Sequence, residues 1–299
     1  MSSHKAHLQR CKVALDKLID AQDKDIDTNE DPLQVVHRYS HPHDQEIAAV
    51  FSAQLAYGRV QLFLPVLNRL MDIADKNGGP RQWIINFRPK DIESLTNINY
   101  RWNKYPDFAL FALTLQLAIQ KHNTIGELFE LSYTPQDPTL RLCLDRSVEK
   151  LQDYSACVAR TLDPKWTNFK DLPASFKRFL SRPAKGSACK RWHLLLRWMV
   201  RRVSPDLGIW SLPIAKLLMP MDVHVHRLSI LMGLTERKSI DDKAVKELTG
   251  QLRKLDPIDP TRYDFALSHL GISGQCQNAF VFDICNNCPL SSVCKHTNS

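Results

Sequence analysis

Four cysteines close the sequence at the spacing C-x8-C-x2-C-x5-C: Cys276, Cys285, Cys288 and Cys294. Deprotonated thiols are soft anionic donors, and four of them suit either a zinc ion or an iron–sulfur cluster. Only Cys285 and Cys288 form the short knuckle from which many zinc sites are built. The longer arms to Cys276 and Cys294 look like a loop wrapped around a larger cluster. The alternative, four small buried hydrophobes, fits the segment CNNCPLSSVCKH (285–296) poorly because it is polar. Cys11, Cys143 and Cys157 show no ligand pattern. The opening residues MSSHKAHLQRCK lack the apolar stretch of a signal peptide, so an intracellular, cytoplasmic location is expected, with reduced thiols and no structural disulfides.

Two other features carry chemistry. Asp222 stands immediately before the apolar segment VHVHRLSILMGL, where aspartate is a favoured N-cap: it binds free backbone amides and sits in the favourable field of a helix start. Between Leu172 and Pro205 lie nine basic residues and no acidic ones, against a formal net charge of +8 for all 299 residues. Such a run suits a phosphate backbone; a solvated helix face is the other reading. His37, His41 and His43 lie in RYSHPHDQE, which reads as a turn into a helix capped by Asp44 rather than as a metal site.

The elements that must position these residues are helical. Apolar residues recur every three or four positions in 44–74, 107–122, 190–202 and 242–255, and no alternating strand pattern is visible. Breaks fall at NGGP (77–80), YTPQDPT (133–139), LDPKW (162–166) and DPIDP (256–260). With 43% hydrophobic residues, the chain supports one large domain or two intimate lobes. It holds no run of about 18 apolar residues to cross a membrane.

An apolar helix ending in HLG, followed by Cys, a loop, C-x2-C-P and a final Cys, resembles the cluster loop of endonuclease III and the adenine glycosylases. These are members of the helix-hairpin-helix DNA glycosylase superfamily that carry a [4Fe–4S] cluster. The first gap here is two residues longer than the family's C-x6-C, so the loop must bulge. PMDVHVHRLSILMGL (220–234) is similar to the superfamily's V-D-T-H-x-x-R segment, which implies Asp222 as the catalytic carboxylate, with His224 and Arg227 on the helix that follows. EIAAVFSAQLAYGRV (46–60) is similar to L-I-A-x-x-L-S-A-Q, whose glutamine, here Gln54, fills the space left by a flipped nucleotide; without the flanking match it reads as a surface glutamine. RPAKGSACKRWHLLLRW (182–198) aligns with the L-P-G-V-G-x-K hairpin and puts Lys190 in the nucleophile position, with a phosphate-binding point charge as its plainer reading and Lys185 as a substitute. Ala188 replaces the second hairpin glycine, which is expected to weaken the phosphate contact. DPLQVVHRYS (31–40), KGSACKR (185–191), DLGIW (206–210) and DVHVHR (222–227) resemble, more closely still, an uncharacterised family within that superfamily.

The resemblance implies an all-α, two-lobed glycosylase-like fold with DNA in the cleft. One lobe runs over 44–170; residues 1–43 return to pack with 171–299, which hold the hairpin, the aspartate and the metal loop (276–294). It further implies a monomeric base-excision repair protein that extrudes a damaged or mismatched base from double-stranded DNA. The activity would be that of an N-glycosylase, with AP lyase chemistry if Lys190 is the nucleophile. Expected DNA contacts are Gln54, Arg182, Lys185, Gly186, Arg191, His224 and Arg227; expected metal ligands are the four cysteines, on an iron–sulfur cluster or on zinc. A non-catalytic nucleic-acid-binding protein and a zinc-stabilised RNA-binding factor remain the competing readings. Tyr57, Trp102, Tyr105, Trp192, Trp198 and Trp210 are aromatics that stack on a base or fill the core.

Overall fold

The computed structural model describes residues 3–22, 31–272, 274–277 and 279–297. It is predominantly helical, with no β-strand among the described residues. In chain order the helices are α1 (Ser3–Gln22), α2 (Leu33–Val36), α3 (Pro42–Leu55), α4 (Val60–Lys76), α5 (Pro80–Asn86), α6 (Tyr105–His122) and α7 (Ile125–Glu130). They continue with α8 (Arg141–Ala159), α9 (Ala174–Lys177), α10 (Lys190–Val200), α11 (Val223–Leu231), α12 (Asp242–Leu255), α13 (Asp264–Ile272) and α14 (Phe282–Asn286). Among the described residues no helix is long and apolar enough to cross a membrane.

The chain forms two compact units. Unit 1 comprises residues 1–27, 186–197 and 213–299; unit 2 comprises 28–185 and 198–212. The division differs from the sequence reading in giving 28–43, 171–185 and 198–212 to unit 2. Helix α10 begins in unit 1 and ends in unit 2.

Unit 2 is organised on α6, whose residues Phe108 to Leu115 are all buried. A helix that is apolar on every side needs neighbours on every side, and α5, α7, α8 and α9 supply them. Phe111 meets Phe51 edge-on at 5.4 Å and stacks on Phe179 at 5.0 Å. The periodic stretch 44–74 divides into α3 and α4, because Gly58 adopts φ +81°, which a helix cannot contain. Asp44 does not cap α3. The ring of His41 does, accepting from the His43 amide, while Asp44 accepts from the Arg81 amide at the start of α5, 2.8 Å away. Thr124 caps α7, whose first turn also donates two amides to the buried Glu46 carboxylate, from Ile125 and Gly126 at 2.9 and 2.7 Å.

Unit 1 is built on the apolar stripe of α1. Leu8, Cys11, Leu15 and Leu18 recur at helical spacing and pack in one core with Val225 and Leu228 of α11, Leu248 and Leu252 of α12, and Leu267 and Leu270 of α13. Leu290 and Val293 of the cysteine segment join the same core. The hydroxyl of buried Tyr263 donates to Asp16 of α1, 3.2 Å away.

Candidate active site and cysteine loop

Asp222 lies where its local sequence puts it, at the N-cap of α11. Its Oδ1 accepts from the amides of His224 and Val225, each at 2.9 Å, which fixes the carboxylate on the backbone. The other oxygen, Oδ2, lies 3.6 Å from Nζ of Lys190, the first residue of α10. That separation is longer than a hydrogen bond. The side chains of Lys190 and Asp222 are 30% and 18% exposed, so a ligand can reach the pair.

The turn before Lys190 departs from expectation in one detail. Ala188 is not in the left-handed region; Gly186 at φ +83° and Cys189 at φ +45° are. This turn thus stores its backbone strain at Cys189, beside the lysine, rather than at Ala188. The carbonyl of Gly186 accepts from the Asp242 amide at 3.1 Å, which ties this turn to the start of α12.

A second carboxylate stands behind the pair. Asp264, in the first turn of α13, is 2% exposed and ion-paired with Arg197 of α10, itself 5% exposed. Burial pushes its pKa up to about 6; the charge of Asp222 adds to the rise, and Arg197 and Lys190 oppose it. Helices α11 and α13 meet closely: a Cβ on Gly271 would lie 2.4 Å from Cβ of His224, so only glycine fits there. Nothing in the sequence pattern marked Asp264, and the HLG match that includes Gly271 gave no sign of this crossing, because their partners lie on helices distant in the chain.

The expected DNA-contact residues meet different fates. Lys185 and Gly186 are exposed, and Arg191 and His224 are half-buried. Arg182 is already occupied: its Nε and Nη2 engage Asp145 at 3.2 and 2.5 Å, and its Nη1 engages Glu149 at 2.5 Å. Arg227 donates to the carbonyl of Cys276 at 3.0 Å, toward the cysteine loop. Gln54 is buried, at 1% exposure, rather than lying on a surface. The basic run 172–205 is therefore partly internal, since Arg182, Arg197 and Arg201 all serve ion pairs. Of the aromatics, Trp192, Trp198 and Trp210 are core residues, and Trp210 Nε1 donates to Glu46.

Cys276 and Cys288 lie within electrostatic reach of the other cysteines of the segment. Cys276 and Cys288 pack against the unit 1 core. Burial raises the pKa of both; neighbouring thiols raise them further, Cys294 and Cys285 acting on Cys276, and all three of the others acting on Cys288. Backbone amides also point at sulfur. Val281 N–H lies 3.3 Å from Sγ of Cys285, and the Leu290 amide donates to Cys288. Such N–H···S bonds stabilise ligating thiolates. Among the described residues no three His, Cys, Asp or Glu side chains are arranged to hold a metal ion; Ser273 and Asn278, which flank Cys276, lie outside them. The donor set, four thiols with directed amides on a packed helical base, fits an iron–sulfur cluster or zinc.

The fold and site define an all-helical protein in which a helix-capping aspartate faces a lysine within one compact unit. A family model described as "Protein of unknown function (DUF2400)" matches residues 31–273, and the chain belongs to that family. No curated protein and no solved structure matches it.

Proposed function

We propose that this protein is a DNA N-glycosylase of the base-excision repair type, acting on a damaged or mismatched base, with AP lyase activity through Lys190. The observation that carries the reading is the Asp222–Lys190 pair, one carboxylate oxygen bound by backbone amides and the other turned to the amine. As the glycosidic bond of an extruded nucleotide breaks, positive charge builds at C1′, and the fixed Asp222 oxygen stabilises it. The amine of Lys190 attacks C1′ as the base departs; loss of a proton and ring opening give a Schiff base, and β-elimination then cleaves the strand on the 3′ side. The four cysteines would hold a [4Fe–4S] cluster, which supplies a structural brace for the loop after α13.

The test is borohydride trapping on duplexes that each carry one damaged or mismatched base. A covalent adduct that disappears in Lys190→Ala and in Asp222→Asn supports the full reading. Alkali-sensitive nicks that depend on Asp222 but not on Lys190 make the protein a monofunctional glycosylase. A second reading, a nucleic-acid-binding protein without catalysis, draws on the segment before Lys190: Ala188 stands where the glycosylase hairpin has its second glycine, and Arg182 is spent on Asp145 and Glu149. Salt-dependent DNA binding with neither adduct nor nick on any duplex would establish it.

A further inference from the structure

Tyr57 and Trp102, two of the aromatics that have no place in the core, come together in unit 2. Their rings stack with centroids 5.1 Å apart and planes 4° from parallel. The guanidinium of Arg178 lies 4.7 Å from the Trp102 ring centroid, and that of Arg101 lies 5.2 Å from it. Trp102 is 43% exposed, a large apolar surface to leave in water.

The platform is built rather than incidental. Tyr57 Oη donates to Asn103 Oδ1 at 2.8 Å and reaches the Tyr100 carbonyl at 3.2 Å, and the Tyr100 hydroxyl donates back to the Tyr57 carbonyl. Asn103, fully buried, exchanges two backbone hydrogen bonds with Tyr100 and donates from its side chain to the Ser175 carbonyl at 3.0 Å, which brings in the segment bearing Arg178. Gly58 has no room for a side chain, because a Cβ would meet Tyr100 Oη at 2.6 Å. Two loops and α9 are thus locked around one exposed indole.

The charge around it has one sign. Arg59, Arg101, Lys104 and Arg178 are all exposed. The nearby acid, Asp107, is buried and accepts from the Lys104 amide and the Ser175 hydroxyl. An aromatic face flanked by cations recognises an unstacked base and its phosphate, whereas a paired base offers no free face. We infer that Trp102, supported by Tyr57 and flanked by Arg101 and Arg178, is a stacking site for an unpaired nucleotide of single-stranded nucleic acid. The inference goes beyond the glycosylase reading and does not rest on it, since the contact uses neither Lys190 nor Asp222.

The experiment is fluorescence anisotropy of labelled dT12, rU12 and a 12-base-pair duplex with the full-length protein, repeated for Trp102→Leu, Trp102→Phe and Arg178→Gln. Circular dichroism and urea midpoints confirm that each variant is folded. Single strands should bind the wild type more tightly than the duplex does, and Trp102→Leu should weaken them by about 5- to 150-fold, with Trp102→Phe recovering most of the loss. Whether dT12 or rU12 binds tighter assigns the strand as DNA or RNA. Wild-type affinity in Trp102→Leu, an equal effect on duplex and single strand, or no binding to any of the three probes would overturn the inference.

Discussion

Replacing Arg197 by Met and Asp264 by Asn breaks the same buried ion pair, yet at pH 7 the two changes should affect stability very differently. Without Arg197, the Asp264 carboxyl escapes the cost of a buried charge by taking a proton. That escape has a ceiling. Holding a proton at pH 7 on a group with an ordinary value of 3.8 costs about 4 kcal/mol, at about 1.4 kcal/mol per unit. With Arg197 present, burial has already raised the group to about 6, which corresponds to about 3 kcal/mol of that ceiling. The charge contribution to Arg197→Met is therefore about 1 kcal/mol at pH 7. It should vanish at pH 5, where Asp264 is protonated with or without its partner. Asp264→Asn instead removes the group whose charged form burial disfavours: at pH 5 a neutral amide replaces a carboxyl that is itself protonated, so little should be lost, and at pH 7 the variant is spared the about 3 kcal/mol that ionising Asp264 costs the wild type. The sign for the wild type follows. A raised carboxyl means that the folded state holds the proton more tightly, so this group lowers stability as pH climbs between its ordinary 3.8 and about 6. Urea denaturation at pH 5 and pH 7 measures all three proteins. Equal losses for the two variants at pH 7, or an Arg197→Met penalty that grows toward pH 5, would refute the reasoning and show that the ion pair outweighs burial.

Four further outcomes are expected. Asp222→Asn keeps an oxygen for the His224 and Val225 amides, so stability should hold within about 1 kcal/mol while adduct trapping is lost; Asp222→Ala should also lose the cap, a cost of about 0.5–2 kcal/mol in urea. Gly271→Ala forces a methyl to 2.4 Å from His224 Cβ and should cost roughly 1–3 kcal/mol, with a fall in trapping as the start of α11 shifts. Gly58→Ala, at φ +81° and without space, should cost more than about 1 kcal/mol and weaken binding to dT12. Cys288→Ser should lower the metal content of protein purified without oxygen, read as iron and zinc per chain, and lower the urea midpoint, because Leu290 and Val293 beside it belong to the unit 1 core.

The helices were readable because their apolar stripes are local: 242–255 and the Asp222 cap emerge as the periodicity and the capping preference require. Other features depend on partners far away in the chain. The stretch 44–74 looks continuous until Gly58 is given a backbone angle. The basic run looks like one patch until Asp145, Asp206 and Asp264 claim three of its arginines. Asp264 carries no local signal, and the HLG match that includes Gly271 does not show its close crossing with α11, since a buried carboxylate and a helix crossing are properties of pairs. Tyr57 and Trp102, 45 positions apart, could be named from the sequence but not joined.

The chain passes between its two units four times, at residues 27/28, 185/186, 197/198 and 212/213. During synthesis, unit 2 has all of its residues once Leu212 has emerged, whereas α1 must wait about 220 residues for the helix α12 that covers it. At roughly 5–20 residues per second this is a delay of about 10–45 s. Until residues 218–232 emerge, the stripe of Leu8, Cys11, Leu15 and Leu18 has none of its later core partners, so its apolar face goes uncovered through most of that delay.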